Sequence, residues 1–391
     1  MKNFWRNIHL WLGLAAGLIF FIECLSGTLL VFEDEITFLL HKERYQVPEI
    51  GKMLPLDELI KSVKTKHSNA IIKGVKVNSE LNKTVEFSIG IKEKKELNVA
   101  IPTKVKGAEN QRRAPGKLIF VNPYTGMVTA ELDPQAKTFF TFMLRVHQSL
   151  LADKVGKSIL GISTFVVFII LITGIILWFP KKRKQLKAKL KIKTDGSWKR
   201  LNHDLHIVLG FYCTIFIVIL LVTSLAWSFK WANDALYIIT GSKPGFPEKP
   251  KSTVLPEKQK TISYAFALKK AKEKFPDAPY WSISIPKAAD EAVAVTMGSN
   301  DALHNNGFDN LSLDKYTGAV LLSTRLKDMP GGWQLRRYMK PIHTGAIGGL
   351  STKLLAFFVS LVSAGFPITG VILWLNRIRK KAPKQKVTTT Q

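Results

Sequence analysis

Polar and apolar residues are mixed over most of this chain, but four windows, 10–32, 159–179, 207–229 and 354–375, are apolar almost throughout. Each runs roughly 20 residues, the length at which a helix rising about 1.5 Å per residue crosses about 30 Å of hydrocarbon. Glu23 is the one charged residue inside them. The pattern predicts four transmembrane helices. The first window exceeds the apolar core of a secretory signal peptide, and no A-x-A-like site follows it, so it reads as an uncleaved anchor.

Two long polar segments carry shorter periodicities. Leu56-Asp57-Glu58-Leu59-Ile60-Lys61-Ser62-Val63 has helical spacing and precedes a strand-like run, Ala70-Ile71-Ile72-Lys73-Gly74-Val75-Lys76-Val77. Residues 265–275 and 280–285 repeat that order, and alternating strands follow at 84–91 and 292–297. Each segment then reaches a turn, Asn122-Pro123-Tyr124-Thr125-Gly126 or Asp314-Lys315-Tyr316-Thr317-Gly318. An Asx residue opening the turn and a Gly closing it make a hairpin the full explanation, without chemistry. Residues 104–117, with Arg112, Arg113 and Pro115, read as an exposed loop, and 241–256, with Pro244, Pro247, Pro250 and Pro256, as a linker leaving the third span.

The halves repeat each other. Ile172-Thr173-Gly174-Ile175-Ile176-Leu177-Trp178 recurs as Ile368-Thr369-Gly370-Val371-Ile372-Leu373-Trp374, and the same offset carries His147 onto His343. An offset larger by one carries His9-Leu10-Trp11-Leu12-Gly13 onto His206-Ile207-Val208-Leu209-Gly210. An internal duplication is expected, each half with one His ahead of each of its two spans.

The formal net charge of +28 invites a nucleic-acid partner, but its distribution excludes that reading. The short segments 1–9, 180–202 and 376–391 hold 18 Lys/Arg against one acid, Asp195. The polar segments 33–150 and 230–345 hold 19 against 14 and 17 against 11. Basic short loops mark the cytoplasmic side, so both termini and the central loop are expected inside and both long segments outside. Two cysteines, Cys24 and Cys213, sit in predicted spans. They exclude a disulfide framework and c-type haem attachment, and read as packing residues.

A span with His before it, a helix-then-strands module closing on an Asx-x-x-Thr-Gly turn, and Arg145-Val146-His147-Gln148-Ser149-Leu150-Leu151 ahead of the next span resemble the PepSY-associated transmembrane family. The second half departs from that signature at Pro341-Ile342-His343-Thr344-Gly345 and is matched through the first. The resemblance covers nearly the whole chain. It implies a bacterial inner-membrane protein of the iron-uptake group, similar to di-haem ferric-siderophore reductases. The expected fold class is an α-helical polytopic membrane protein: a four-helix bundle from a two-fold duplication, with two exported α+β PepSY-like domains. The boundaries are 1–32 for the first span, 33–136 for the first exported domain and 137–180 for the His147 segment with the second span. A basic loop at 181–202, the third span at 203–230 and the second exported domain at 231–335 follow. The His343 segment with the fourth span takes 336–376 and a basic tail 377–391.

The topology puts His9, His203 and His206 at the cytoplasmic face and His147 and His343 at the outer face. Paired neutral imidazoles on facing bundle helices are what b-type haem takes, so two haems are expected, one on His9 and His206 and one on His147 and His343. The competing reading of any one such His is an interfacial polar residue. Gly13 and Gly210 lie one turn after their His, where a missing side chain leaves room for a macrocycle or for close helix approach. His203 lies some 60° around the helix from His206 and competes with it, as ligand, supporting residue or propionate partner. His41, His67 and His304 lack repeat mates and are expected at the surface. Glu23 is a candidate proton relay or tuning group, or a protonated Glu bonded to a neighbouring helix. His147 and His343 stand about 18 Å ahead of their apolar runs if the helices are continuous. Either the spans begin earlier, or the chain bends back through Gly156 and its counterparts Gly345, Gly348 and Gly349. Trp333 and Tyr338 lie near the second of these histidines as ligand contacts or interfacial anchors.

No G-x-G-x-x-G follows a strand, and P-loop and H-E-x-x-H motifs are absent, so electrons are expected from quinol, a separate cytoplasmic reductase or a soluble donor. The expected activity is reduction of ferric iron in a periplasmic siderophore complex, by a monomer or a homodimer in the lipid bilayer. A non-catalytic module binding a peptidase or transporter, and a His-pair metal transporter, are the alternatives.

Overall fold

The computed structural model describes residues 1–49, 51–91, 116–133, 136, 138–180, 182–245, 248–253, 260–286, 288–304 and 307–381. Most of the expected loop at 104–117, and Pro247 and Pro256 of the expected linker, lie outside them. In chain order the helices and strands begin with α1 (Lys2–Leu30), α2 (Glu33–Leu40), α3 (Lys42–Tyr45), α4 (Leu56–Lys66), β1 (Ala70–Asn78), β2 (Val85–Ile91), β3 (Lys117–Val121) and β4 (Val128–Leu132). Next come α5 (Phe139–Ser149), α6 (Asp153–Trp178), α7 (Leu186–Lys189), α8 (Trp198–Asp204), α9 (Gly210–Ser228) and α10 (Lys230–Ile238). The remainder is α11 (Tyr264–Lys274), β5 (Tyr280–Ser284), β6 (Val293–Gly298), β7 (Phe308–Leu313), β8 (Val320–Thr324), α12 (Gly331–Thr344) and α13 (Leu350–Lys381). A π-helical turn, Leu205–Leu209, joins α8 to α9.

Two compact units result, one from Met1–Glu33, Thr138–Pro244 and Leu335–Gln391, the other from Asp34–Lys137 and Gly245–Gln334. In the first, four helices are long and apolar enough to cross a membrane: Lys2–Leu30, Asp153–Trp178, Trp198–Ser228 and Leu350–Arg379. All four begin ahead of their apolar windows, because the polar residues before each window continue the helix. Helix α1 packs between α6 and α13, and α9 packs between the same two, so α1 and α9 face each other across the bundle. Ala16, Val167, Cys213, Ile217, Leu221 and Val359 form its buried centre, where Cys213 behaves as a small apolar residue.

The segments carrying His147 and His343 are separate short helices rather than continuations of the spans. Helix α5 starts on a reciprocal cap between Thr138 and Thr141 and ends where Leu150 turns left-handed, at φ 47°. Leu151 and Asp153 also have positive φ, 61° and 45°, an uncommon run for residues with a Cβ. The reversal brings the first turn of α6 against the end of α5: a Cβ on Gly156 would lie 1.7 Å from the Ser149 carbonyl oxygen. Gly345 makes the corresponding bend after α12, with φ 75° and a would-be Cβ 2.5 Å from the Thr352 carbonyl oxygen. The apolar windows therefore start late because the chain has turned back on itself.

The second unit joins the strands of both long polar segments. Its strands form one antiparallel sheet in the order β4-β3-β2-β1-β5-β6-β7-β8. Each half contributes a four-strand meander, and the meanders join through β1 and β5, where Val75 faces Ile283 and Val77 faces Trp281. A lone meander would leave β1 or β5 as a bare edge, and pairing the two removes both edges. Helix α4 buries Leu56, Leu59 and Val63 against Val75, Phe87, Ile89 and Ile119. Helix α11 buries Ala267 and Ala271 against Trp281, Ile283, Val295 and Leu311. Both expected turns close hairpins. Asn122 Oδ1 accepts the Tyr124 N–H at 2.8 Å, Asp314 Oδ1 accepts the Tyr316 and Thr317 N–H groups at 2.9 and 2.8 Å, and Gly126 and Gly318 both take φ 71°. His304 departs from expectation: it is buried, whereas His41 and His67 are partly exposed.

Candidate functional site

Within the helical unit the four repeat-related histidines meet in two pairs. The ring centres of His9 and His206 lie 6.3 Å apart at an interplanar angle of 87°, and those of His147 and His343 6.1 Å apart at 55°. His9 lies in the first third of α1, whereas His147 reaches α1 at Glu23 and Ser26, so the pairs occupy opposite ends of the bundle. His203 does not join the first pair. Its Nδ1 lies 3.1 Å from the buried Asp204 carboxylate, which also holds Arg200 Nε at 2.9 Å. The repeat register, not nearness along the helix, identifies the partner of His9.

Every ring is held in the same way. Nδ1 of His9 is 2.9 Å from Thr173 Oγ1 and 3.1 Å from the Ile170 carbonyl oxygen. Nδ1 of His206 is 2.8 Å from Thr369 Oγ1. Nδ1 of His147 is 3.2 Å from Ser26 Oγ and 3.0 Å from the Glu23 carbonyl oxygen. Nδ1 of His343 is 2.8 Å from Thr223 Oγ1. In each case a hydroxyl on another helix meets Nδ1, joined at His9 and His147 by the carbonyl three residues before it. With Nδ1 so engaged, Nε2 is the nitrogen left on each ring.

The glycine after the hydroxyl residue serves the ring as well. A Cβ on Gly174 would lie 3.3 Å from His9 Cε1, one on Gly370 3.4 Å from His206 Cε1, and one on Gly27 3.0 Å from His147 Cε1. Thr-Gly or Ser-Gly thus supplies an acceptor for Nδ1 and room for the ring edge. The fourth position has Thr223-Ser224 instead. His206 lies on the π-helical turn, a widening that recurs at functional positions in helices.

A cavity of about 450 Å³ opens beside the first pair, between α1, α6, α9 and α13. Leu14, Phe20, Leu171, Ile217 and Phe366 give it apolar walls, while Arg6, His203 and Arg377 are its charged or titratable lining beside the pair. Gly13 and Gly210 line it too. A Cβ on Gly13 would meet nothing within 4 Å, so this glycine is not needed for close helix approach. At the second pair, Trp227 sets its ring 5.0 Å from His343 edge to face, and Arg336 lies 5.9 Å above the Trp227 ring while bonding Asn233 at 3.0 Å. Trp333 is buried in the first turn of α12, the helix that carries His343. Glu23 serves His147 through its backbone carbonyl, and its carboxyl makes no hydrogen bond among the described residues.

These residues fit haem. Two imidazoles on opposite sides of one metal, each nitrogen about 2.0–2.1 Å from it, set their ring centres about 6 Å apart. Both ring planes contain the metal axis whatever their twist about it, so 87° and 55° are both permitted. No group of three or more His, Cys, Asp and Glu side chains able to hold a metal ion occurs among the described residues. Two imidazoles with Nε2 left over would suit a macrocycle that brings its own donors to the metal.

Sequence reading missed Ser26, Thr173, Thr223 and Thr369 as site residues. Thr173 and Thr369 stand inside the repeated apolar motif, so recurrence of a polar residue there was the available signal. The family model described as PepSY-associated TM region matches residues 6–377, and a search of curated proteins finds no match. That match runs from before His9 to Arg377 and takes in all four spans and both His pairs. The chain is a multi-pass membrane protein that belongs to the PepSY-associated TM region family.

Proposed function

We propose that this protein is a two-haem oxidoreductase of the bacterial inner membrane that reduces ferric iron in a periplasmic siderophore complex. The observation that carries this reading is the two imidazole pairs at 6.3 and 6.1 Å, with all four Nδ1 atoms engaged and all four Nε2 atoms left for a metal. His9 and His206 would hold one haem b and His147 and His343 the other, at opposite ends of the bundle. Haem bound there supplies reversible one-electron transfer. Apolar walls would face the macrocycle beside the first pair, Arg6 and Arg377 offer positive charge to propionates, and His203 lines the same space. The basic short segments support a topology with both termini and the central loop in the cytoplasm and both long segments in the periplasm. On this reading electrons would enter from quinol or a cytoplasmic reductase near the first pair and leave near the second. Reduction of Fe(III) to Fe(II) weakens its hold on hard oxygen donors, which releases the metal. The matched hydrogen bonds in the two halves support descent from one duplicated unit. Glu23 remains a candidate for tuning the second pair.

The test is an absorption spectrum of the detergent-purified protein, oxidised and then reduced with dithionite. A Soret band with narrow reduced α and β bands, near two haems per chain, and oxidation of the reduced protein by a ferric siderophore are expected. A colourless protein from haem-replete cells would sink the reading and favour a non-catalytic binding module.

A further inference from the structure

We infer that the four hydroxyls of Ser26, Thr173, Thr223 and Thr369 are positioning residues that hold the histidines in one tautomer, with the proton on Nδ1. The inference deepens the two-haem reading and names residues it does not require. A backbone carbonyl oxygen can only accept. Ile170 and Glu23 offer such oxygens to Nδ1 of His9 and His147 at 3.1 and 3.0 Å, so both Nδ1 atoms carry hydrogen. Each hydroxyl has spent its own proton elsewhere. Thr173 donates to the Ile170 carbonyl at 2.8 Å, Thr369 to Gly365 and Phe366 at 3.0 Å each, Thr223 to Ile219 and Leu220 at 2.9 and 2.8 Å, and Ser26 to Ile22 at 2.6 Å. A hydroxyl oxygen that has donated its single hydrogen presents only lone pairs to the imidazole. The hydroxyl in every recess, with the carbonyl beside it at His9 and His147, therefore selects Nδ1–H, and Nε2 is left unprotonated as a metal ligand requires.

The arrangement does more than orient. An N–H that donates to a fixed acceptor raises the electron density the ring offers through its other nitrogen, and such partners tune metal affinity. The acceptors lie on a helix other than the one carrying the histidine: Thr173 on α6 for His9, Thr369 on α13 for His206, Ser26 on α1 for His147 and Thr223 on α9 for His343. Closure of the bundle and selection of the tautomer are then a single event.

The experiment uses the full-length protein with ¹⁵N-labelled histidine and the variants Thr173→Val, Thr369→Val, Thr223→Val and Ser26→Ala. Before haem is loaded, the four side chains should resonate as Nδ1–H tautomers. After loading, each variant should lose haem to excess apomyoglobin roughly 10–100-fold faster from its own pair, and that pair's midpoint potential should rise. The other pair should not change, and Thr173→Ser should restore both readouts. Wild-type rings protonated at Nε2, or Val variants with unchanged haem loss and potential, would overturn the inference. A wild type that takes up no haem would sink the two-haem reading, and the ¹⁵N spectrum would still decide the tautomer.

Discussion

The two histidine pairs are alike in chemistry and unlike in how the backbone delivers them. His9 and His206 ride on membrane-length helices, so the bundle that buries Ala16, Val167 and Ile217 places them as it forms. His147 and His343 ride on α5 and α12, short helices that reach the bundle only because the chain reverses at 150–153 and at 345–349. A Ser or Thr hydroxyl on another helix receives the ring in both cases. The site is therefore defined by the acceptor and the ring, and the route by which the ring arrives is free to vary. The first pair should be robust to local backbone damage and the second sensitive to it.

The strongest way to break the comparison is to remove a ring from each pair. His206→Ala or His9→Ala should leave about one haem per chain, held by the second pair, and His343→Ala should leave the first. Pyridine haemochrome quantification against protein concentration measures this. His203→Ala should keep both, since His203 is bonded to Asp204 and not paired with His9. Loss of haem in His203→Ala with retention in His206→Ala would reverse the assignment.

Backbone damage should separate the pairs next. Gly156→Ala drives a methyl group into the Ser149 carbonyl and Gly345→Ala drives one into that of Thr352, and neither backbone atom moves aside cheaply. Both variants should lose the second haem while the reduced spectrum of the first persists. Equal loss from both pairs would show that the reversals support the whole bundle. Smaller again is the effect of filling the space beside a ring. Gly27→Ala, at 3.0 Å from His147, should shift that pair's reduced α band and speed its haem loss more than Gly174→Ala or Gly370→Ala affects the first pair.

Much of this was legible in the sequence. The spans, the pairing of His9 with His206 rather than His203 next to it, and the Asx turns all follow from patterns within one window or one offset. The reversals were half legible: Gly156 and Gly345 stand at them, but Leu150, Leu151 and Asp153 gave no sign that they adopt positive φ. Fusion of the two meanders was not legible. Strands β1 and β5 alternate as any half-buried strand does, and nothing local says that Val75 will face Ile283. The acceptors escaped for the same reason. Thr173 and His9 lie 164 residues apart, and a Thr in an apolar helix is ordinarily satisfied by its own backbone.

The least effect on either pair should come from the sheet unit, which makes it the control. Asp314 is buried at the β7–β8 turn. Burial alone would raise its carboxyl, but N–H groups of Thr317, Thr253 and Tyr316 and the Thr317 hydroxyl outweigh it and hold the group well below the usual carboxylate range. A carboxyl depressed on folding contributes stability that is present above its unfolded value of about 3.9 and is lost as pH falls through the folded one. Hydrogen exchange in β7 and β8, corrected for intrinsic rates, should therefore quicken below about pH 4 relative to neutrality. Asp314→Ala strands the donors and should weaken those strands by about 2–3 kcal/mol at pH 7. Asp314→Asn keeps an acceptor without the charge, so it should lose less and flatten the pH dependence. Neither variant should alter haem content or the potentials of the two pairs. Haem loss in Asp314→Ala would mean that the sheet unit helps to hold the His-bearing helices, and the pairs would then differ in more than their route to the bundle.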